Sequence, residues 1–207
     1  MLDFNSKQFS MMTSENSIIA TPEMAALCFT VVTNHLNGNG NTKRESILPA
    51  VTVGGMFVTW ETSQGQLRGC IGTVAEVPLA RLFDYAVKAS QFDSRFSPIN
   101  LREIQNISCT VSILHCFESC SHSHDWEIGT HGIIVQFSLD GIERKSTFLP
   151  NVMVEQRWSK DQAIDAAIEK FGCRGITKLI RNRVIVTRYK ASKSTLSHQE
   201  YIKSYSQ

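Results

Sequence analysis

The chain has 207 residues, of which 42% are hydrophobic, so it can bury a sizeable core and global disorder is disfavoured. Its 21 basic and 19 acidic residues leave a formal net charge of +2, which argues against a protein whose whole surface attracts nucleic acid. No apolar run reaches the roughly 18 residues that span a bilayer, so we predict no membrane association.

The N-terminal segment is predicted to be a mobile tail over residues 1–18, and one domain is predicted over residues 19–205. The tail has no basic start followed by an apolar stretch, and the first arginine is Arg44, so the sequence favours neither a secretory signal nor a mitochondrial presequence. The chain has six cysteines without an export signal. We therefore expect reduced thiols in a cytoplasmic or nuclear protein.

The first predicted elements are a helix, a β-hairpin and a second helix. Thr21 suits the N-cap of the first helix, Pro22 fits its first position, and the helix is expected to end near Gly38. The strand-like runs GMFVTWET and LRGCIGTV flank the turn SQGQ and predict a hairpin. Apolar residues at helical spacing predict the second helix from Pro78, and Pro98 prevents its continuation.

The second half of the chain alternates strands with helices. A strand begins at Ile107 with ISCTVSIL, and the polar loop ESCSHSHDWEIGTHG follows it. Asp140–Gly141 lies between two strand-like runs and predicts a second hairpin. Ser159 is the expected cap of a helix that ends at Gly172, NRVIVTRYKA is a late strand, and Ser197–Glu200 forms a capping box for a final helix.

Strands and helices are therefore mixed, and at least two pairs of strands are antiparallel hairpins. We predict an α+β fold with a mixed, largely antiparallel sheet packed with helices, in a single domain with a small lobe. The sequence contains no phosphate-loop motif, dinucleotide fingerprint or internal repeat. We predict no cofactor.

The run GQLRGCIGTV places Cys70 between two glycines. Side chains alternate along a strand, so Arg68, Cys70 and Gly72 are expected on one face and Gly69 on the other. Arg68 lies about 7 Å from Cys70 along such a strand, near enough to favour the reactive thiolate. Because glycine lets a ligand approach a strand closely, the glycines are predicted to clear room around Cys70. The alternative is that they admit a neighbouring helix and that Cys70 is a core residue.

Four blocks of the sequence carry a resemblance to a known family: LRGCIG at 67–72, DSRF at 93–96, DWEIGTHG at 125–132 and FLPNV at 148–152. In this order they resemble the signature blocks of the AMMECR-type domain family, named after the AMME chromosomal region, over roughly Met24 to Tyr201. The resemblance implies one α+β domain in an intracellular, often nuclear protein, and it implies no mechanism. Similar domains occur with Memo-type and radical-SAM-type proteins in some microbial genomes, which suggests a role beside an enzyme.

Two hypotheses for the function share these residues. In the first, a binding or adaptor domain holds a small anionic ligand or a segment of a protein partner in a groove at Arg68, Cys70, Arg95 and His131. In the second, Cys70 is a catalytic nucleophile and His131 its base, acting on an acyl or nucleotide-like group. The predicted ligand-binding and orienting residues are Arg68, Gly69, Gly72, Asp93, Arg95 and Glu127.

The DSRF block supplies the second arginine of this candidate site. Arg95 can bind a carboxylate or a phosphate through two parallel hydrogen bonds. If Arg68 and Arg95 converge beside Cys70, the pocket suits an anion. The alternative is an internal salt bridge of Arg95 with Asp93 or Glu127 that pins the loop.

The polar loop also contains four potential zinc ligands. They have the spacing C-x3-C-x-H-x-H, which matches no usual zinc finger, so we predict no metal site. These residues are Cys116, Cys120, His122 and His124.

A third hypothesis comes from the C-terminal part, where residues 174–199 include seven basic residues and no acid. Such a stripe can meet the phosphates of a nucleic acid, with Tyr189 stacked on a base. The alternative is a solvated strand and loop whose charges are balanced by acids elsewhere. The candidates for phosphate contact are Arg181, Arg183, Arg188 and Lys190.

Overall fold

A computed structural model describes residues 13–14, 17–39, 48–173, 175 and 177–205. The chain divides into two compact units. Unit 1 comprises Met1–Leu114 and Ser192–Gln207, and unit 2 comprises His115–Ala191. In both units helices accompany antiparallel strand pairs, which confirms the predicted α+β class.

Unit 1 contains the N-terminal helix, the first hairpin and the C-terminal helix. Its sheet runs in the order β5, β4, β7, β10, so β5 is an edge strand. Strands β7 (Ile107–Ser119) and β10 (Ile185–Ser197) carry the chain from one unit into the other and back. The remaining elements of unit 1 are β1 (Thr13–Ser14), β2 (Ser17–Ile18), α1 (Pro22–Leu36), β3 (Thr52–Val53), β4 (Gly55–Thr62), β5 (Leu67–Thr73), β6 (Val77–Pro78), α2 (Leu82–Gln91) and α6 (His198–Tyr205), with 3-10 turns at Leu79–Arg81 and Ile104–Asn106.

Unit 2 is built around the second hairpin. Strand β8 pairs with β10 on one side and with β9 on the other. Three short helices follow β9 in the chain. The elements of unit 2 are β8 (Gly132–Leu139), β9 (Ile142–Phe148), α3 (Pro150–Glu155), α4 (Lys160–Glu169) and α5 (Thr177–Arg181).

The core of unit 1 lies between the helices α1 and α2 and one face of the sheet. Trp60 on β4 is fully buried there, and its indole N–H donates to the carbonyl of Ala86 on α2 at 3.2 Å. The ring of Phe29 on α1 meets Trp60 edge to face, with the ring centroids 5.1 Å apart. This packing holds α2 over β5, which positions the loop after α2 at the sheet edge.

The core of unit 2 follows the alternation of β8. Ile133, Val135 and Phe137 are buried in one cluster with the apolar side of α4. Helix α4 begins with the predicted cap, because the Ser159 hydroxyl accepts from the backbone N–H of Gln162 and the Gln162 side chain accepts from the N–H of Ser159. Local sequence signals therefore determine this helix.

Some local predictions are wrong in detail. Thr21 is the N-cap of α1 as predicted, but its hydroxyl makes no capping hydrogen bond, and the Met24 N–H donates to the Thr21 carbonyl. Helix α2 begins at Leu82 and not at Pro78, since Val77–Pro78 pairs with β3 and a 3-10 turn follows. Strands β7 and β10 are longer than predicted.

Most of the predicted tail over residues 1–18 lies outside the described residues. Within it, Thr13–Ser14 and Ser17–Ile18 form a short antiparallel pair. In the part of the chain that the structure describes, no helix combines the length and the apolar character needed to cross a membrane.

Candidate functional site

The candidate site lies at the edge strand β5, where Cys70 sits opposite Thr59 of β4. The N–H of Cys70 donates to Asp93 Oδ2 at 2.9 Å, and its carbonyl accepts from Arg95 Nη2 at 3.1 Å. Both backbone groups of Cys70 are thus engaged by the loop after α2. Asp93 and Arg95 take the place that a further strand would otherwise occupy at this position.

Asp93 is the buried anchor of this arrangement, with 6% of its surface exposed. Besides the Cys70 N–H, it accepts from the backbone N–H of Arg95 at 3.2 Å, from Nε at 2.9 Å and from Nη2 at 2.6 Å. The hydrogen bonds from the Arg95 guanidinium hold the pKa of Asp93 well below its ordinary value. The internal pair of Arg95 with Asp93, one of the predicted alternatives, is therefore present.

Arg68 is engaged separately, by Glu103 from the segment before β7. Its Nε donates to Glu103 Oε1, and its Nη2 lies 3.1 Å from Glu103 Oε2 and 3.1 Å from the carbonyl of Ser97. Phe96 lies beside both arginines, with guanidinium-to-ring distances of 5.8 Å for Arg68 and 5.3 Å for Arg95. We call this group the edge cluster: Arg68, Cys70, Asp93, Arg95, Phe96 and Glu103.

The two arginines of the edge cluster differ in exposure. The side chain of Arg95 is 55% exposed, whereas that of Arg68 is 16% exposed. The guanidinium that contacts Cys70 is that of Arg95, and not that of Arg68 as predicted, because Glu103 holds Arg68. The pKa of Arg95 is raised, first by its hydrogen bonds with Asp93 and to a smaller extent by the charge of Cys70.

The thiol of Cys70 is partly exposed, and it accepts a hydrogen bond from the hydroxyl of Thr59 at 3.2 Å. By contrast, Cys28, Cys109 and Cys173 are buried. Cys70 is thus one of the thiols that a reagent can reach.

The prediction that the glycines clear open space around Cys70 is wrong. A Cβ at Gly69 would collide with the carbonyl oxygen of Ala89, so this glycine admits the C-terminal turn of α2. A Cβ at Gly72 would collide with the carbonyl of Met56 and the ring of Phe57. Gly69 therefore admits a neighbouring helix, as in the alternative, whereas Gly72 packs closely against its partner strand β4. The other part of that alternative is wrong, because Cys70 is partly exposed and is not a core residue.

Unit 1 also contains an open groove, which we call the side groove. Its volume is about 470 Å³, and residues of α1, β5 and α2 contribute to its lining. Its lining residues are His35, Ile71, Asp84, Val87, Lys88 and Phe92.

The predicted base, His131, belongs to unit 2, whereas Cys70 belongs to unit 1. His131 Nδ1 accepts from the backbone N–H of Glu127 at 3.0 Å, and the His131 N–H donates to the Glu127 carbonyl at 2.9 Å. Partial burial, followed by the charge of Arg188, lowers the pKa of His131. Its pairing with Cys70 stays a prediction, as does the orienting role of the Glu127 carboxylate; the histidines of unit 1 itself are His35 and His198.

The cysteines and histidines of the polar loop have separate partners. Cys120 Sγ donates to the carbonyl of Asp125 at 3.2 Å, and His124 Nε2 lies 2.8 Å from Asp161 Oδ1. Across the described ranges, no three side chains of His, Cys, Asp or Glu converge in a group that could hold a metal ion.

Two arginines of the basic stripe are paired with acids in unit 2. Arg181 binds Asp161 and Asp165, and Arg188 binds Glu118 and Asp125. Two of the four candidates for phosphate contact are thus neutralised. The other two, Arg183 and Lys190, are exposed and have no carboxylate within 4.0 Å among the described residues, and Arg174 lies outside them.

The prediction that Tyr189 stacks on a base is wrong because its ring is fully buried. Its hydroxyl donates to the carbonyl of Phe148 at 3.1 Å and lies 2.9 Å from the Thr147 hydroxyl. Burial raises the pKa of Tyr189 to about 12. Gly132 faces this ring so closely that a Cβ there would collide with it, which explains the glycine after His131.

The comparisons with known proteins agree with this architecture. The family model of AMMECR1 matches residues 25–194, so the chain belongs to the AMMECR1 family. It is 36% identical over 195 residues to an uncharacterised protein of Arabidopsis thaliana, covering 89% of each chain. It is also 36% identical over 151 residues to an uncharacterised protein of Schizosaccharomyces pombe, covering 71% of this chain and 77% of the relative.

A crystal structure of an uncharacterised protein from Pyrococcus horikoshii has the same fold. The TM-score is 0.70 at 23% sequence identity, and the match covers 84% of this chain and 89% of that one. These relatives carry no established activity in their names, so the function of this chain has to be argued from its own site.

Sequence reasoning missed three members of the site. Glu103 was not expected to hold Arg68, because the two residues are 35 positions apart and no local pattern links them. Thr59 was missed although its hairpin was predicted, because the register that sets it opposite Cys70 was not part of that prediction. Phe96 follows Arg95 directly, and an aromatic residue beside an arginine in a loop was a signal that could have been used.

Proposed function

We propose that this chain is a binding domain that takes an anionic group, a carboxylate or a phosphate, at the guanidinium of Arg95. The observation that carries the proposal is the exposure of this side chain, which is 55% although Asp93 and the Cys70 carbonyl fix it in place. Nε and Nη2 donate within the cluster, whereas Nη1 has no hydrogen-bond partner among the described residues.

Charge at the edge cluster supports an anion in particular. Two arginines face two carboxylates, so the cluster as a whole is neutral. However, the carboxylate of Asp93 is buried, with 4% of its side chain exposed, while the guanidinium it holds faces solvent. A ligand therefore meets the positive member of this pair first.

The Arg95 side chain is already held in place before a ligand binds, which favours tight binding. Arginine loses rotamer freedom when it binds an anion, and an arginine that is already held pays less of that cost. Asp93 fixes the plane of the Arg95 guanidinium through Nε and Nη2, and Phe96 lies beside it. The anion is carried by a small molecule or by a segment of a protein partner, and the second case makes the chain an adaptor.

The test is a titration of the isotopically labelled protein with inorganic phosphate and with acetate, followed by backbone amide shifts. We expect the largest shifts at residues 69–71 and 93–97, and at least a tenfold loss of affinity in Arg95→Gln, as for removal of a charge-assisted hydrogen bond. Arg102→Gln is the matched control, because Arg102 is an exposed arginine in the same unit. Equal affinity in both variants, or no shift in the wild type, contradicts the proposal.

A thiol-dependent reaction is the second candidate, and the hydroxyl of Thr59 against Cys70 Sγ is the observation that favours it. The pH dependence of alkylation by iodoacetamide, read by peptide mass spectrometry, decides this. A thiolate at Cys70 that forms well below the ordinary pKa of about 8.5 supports the nucleophile. Slow labelling at Cys70, at the rate of Cys116 and Cys120, removes it and leaves the binding function.

We place this binding function in the cytoplasm or the nucleus. The support is that all six cysteines are free thiols, as is usual in a reducing compartment. Imaging of the tagged full chain in cells tests the location, and entry into the secretory pathway would contradict it.

A further inference from the structure

We propose that strand β9 (Ile142–Phe148) is the interface of a homodimer, in which it pairs antiparallel with β9 of a second copy of this chain. This inference goes beyond the proposed function and does not rest on it, because β9 belongs to unit 2 and Arg95 to unit 1. Three features of β9 support it: free backbone groups along its outer edge, a charge pattern that is complementary to itself, and an exposed apolar side chain at its start.

Strand β9 is an edge strand, because β8 is its only neighbour among the described strands. The hairpin of β8 and β9 closes at Leu139 and Ile142, with only Asp140–Gly141 between them, and both turn residues have a positive φ. Such a two-residue turn closes on a hydrogen-bonded pair, and hydrogen-bonded pairs alternate with non-hydrogen-bonded pairs along the strands. Every second residue of β9, beginning with Glu143, therefore points its N–H and C=O groups away from β8.

The outward backbone groups of Glu143 and Lys145 are free. Among the described residues, no hydrogen-bond partner engages the N–H or the C=O of either one. The C=O of Thr147 also points outward, as the alternation requires, and it accepts from Lys170 Nζ at 2.7 Å, which closes that end of the edge. The edge of β9 is thus open at its middle, whereas the edge of β5 is blocked at Cys70. An open edge accepts a further strand.

The charges of β9 select a second copy as the added strand. In an antiparallel pair centred on Arg144, Glu143 of each copy lies opposite Lys145 of the other. Both residues have outward backbone groups, so each of these pairs is a hydrogen-bonded pair with oppositely charged side chains on one face. Within the chain these charges are available, because neither Glu143 nor Lys145 forms an ion pair among the described residues. The carboxylate of Glu143 accepts from Gln136 Nε2 at 3.1 Å.

The neighbouring registers lack this match. Centring the pair one residue earlier or later makes Glu143 or Lys145 face its own copy, and like charges directly opposite each other destabilise a strand pair. Arg144 faces its own copy in the proposed register, but its side chain lies on the other face of the strand. Its guanidinium is held over the ring of Phe171 in the same chain, 5.6 Å from the centroid. The two arginines are therefore directed to their own chains and away from the ion pairs.

The start of β9 adds apolar surface to the interface. Ile142 is 53% exposed, and in the proposed register it lies opposite Ser146 of the second copy. Covering this side chain favours association. Pairing about a twofold axis uses the open edge of both copies, so the assembly stops at two. Because a single short strand forms a small interface, we expect the dimer to dissociate on dilution.

The experiment is sedimentation velocity on the full chain from about 10 μM to about 1 mM. Glu143→Lys and Lys145→Glu each convert both ion pairs into like-charge pairs, so we expect each variant to dimerise about tenfold more weakly than the wild type. An equimolar mixture of the two variants should recover the wild-type affinity, because every pair between them joins a lysine to a glutamate. Lys203→Glu is the control, since it makes the same charge change at an exposed position of α6.

Hydrogen exchange of the wild type gives a readout that needs no variant. The amides of Glu143 and Lys145 should become protected as the protein concentration rises, and unchanged exchange there contradicts the inference. A wild type that stays monomeric, or a dimer of equal strength in Glu143→Lys, contradicts it as well. If a monomeric wild type instead protects these amides on addition of a Thr-Glu repeat peptide, the edge takes a strand of another protein and the homodimer is wrong.

Discussion

The arginines of the two units are arranged in opposite ways. In unit 2, Arg181 and Arg188 each bind two carboxylates, and their side chains are 18% and 27% exposed. In unit 1, Arg95 binds one carboxylate and stays 55% exposed. In unit 1 the exposed arginine is held from behind by one buried acid, whereas the two paired arginines of unit 2 are enclosed between their acids. The density of basic residues along the chain therefore does not show which arginines are accessible.

The basic stripe of residues 174–199 shows why the sequence was misleading there. It has no acid of its own, yet its arginines meet acids from β7, the polar loop and α4. Counting charge along a chain ignores carboxylates that approach from elsewhere in the fold. The isolated DSRF block, with one acid and one arginine, leaves more accessible positive charge than the stripe does around Arg181.

The largest expected effect comes from Asp93→Asn. The substitution removes the charge that holds Arg95 and replaces one acceptor of the Cys70 edge by a donor, so we expect a loss of about 3 kcal/mol in the free energy of unfolding. Asp161→Asn is the matched control in unit 2, because Asp161 is 52% exposed and Arg181 keeps Asp165, so we expect a much smaller cost. Urea denaturation measures the free energy of unfolding of both variants, and equal costs would contradict the difference between the two units.

The second-largest effect is expected from the close packing of α2 against β5. Gly69→Ala places a methyl group against the backbone oxygen of Ala89, which cannot move without shifting α2. We expect a cost of about 2–3 kcal/mol in thermal or urea unfolding. Gly65→Asn is the control, since nothing lies within 4 Å of a Cβ there and asparagine tolerates its φ of +77°. A neutral Gly69→Ala would show that α2 does not rest on β5.

Acid titration sharpens the contrast between the carboxylates. The pKa of Asp93 in the fold lies below that of the unfolded chain, so its contribution is complete above the unfolded value of about 3.9 and is lost as pH falls through the lower folded value. Below about pH 4 wild-type stability should therefore fall by up to about 1.4 kcal/mol per pH unit from this group. The difference in unfolding free energy between the wild type and Asp93→Asn should narrow from pH 6 towards about pH 2.5. A constant difference would contradict a lowered pKa at Asp93.

The smallest effect is expected for the binding of nucleic acid by unit 2. Because Arg181 and Arg188 are paired, only Arg183 and Lys190 of the predicted contacts lack a carboxylate partner among the described residues. We expect binding to mixed-sequence RNA and DNA oligonucleotides to be weak, with a salt slope of two phosphate contacts or fewer. Fluorescence anisotropy at two salt concentrations measures this. A salt slope that corresponds to four or more phosphate contacts, and that becomes smaller in the double variant Arg183→Gln/Lys190→Gln, would contradict this prediction. It would show that unit 2 has an accessible positive surface of its own.

The sequence predicted the elements better than the site. The hairpins around SQGQ and around Asp140–Gly141 and the N-cap at Ser159 were predicted correctly, because each is set by residues close in the chain. The site depends on pairs brought together by folding, such as Arg68 with Glu103. The alternation of side chains along β5 placed Arg68 and Cys70 on one face of the strand. However, a long side chain such as that of Arg68 binds a nearby carboxylate, and the strand pattern does not reveal where that carboxylate lies.

The engaged backbone of Cys70 also bears on how this protein behaves in concentrated solution. Sheet edges with free amides and carbonyls recruit strands of other molecules and grow into fibrils. Here a carboxylate and a guanidinium occupy those groups at the middle of β5. The same two side chains therefore block strand addition at Cys70, and their release would expose a template for aggregation.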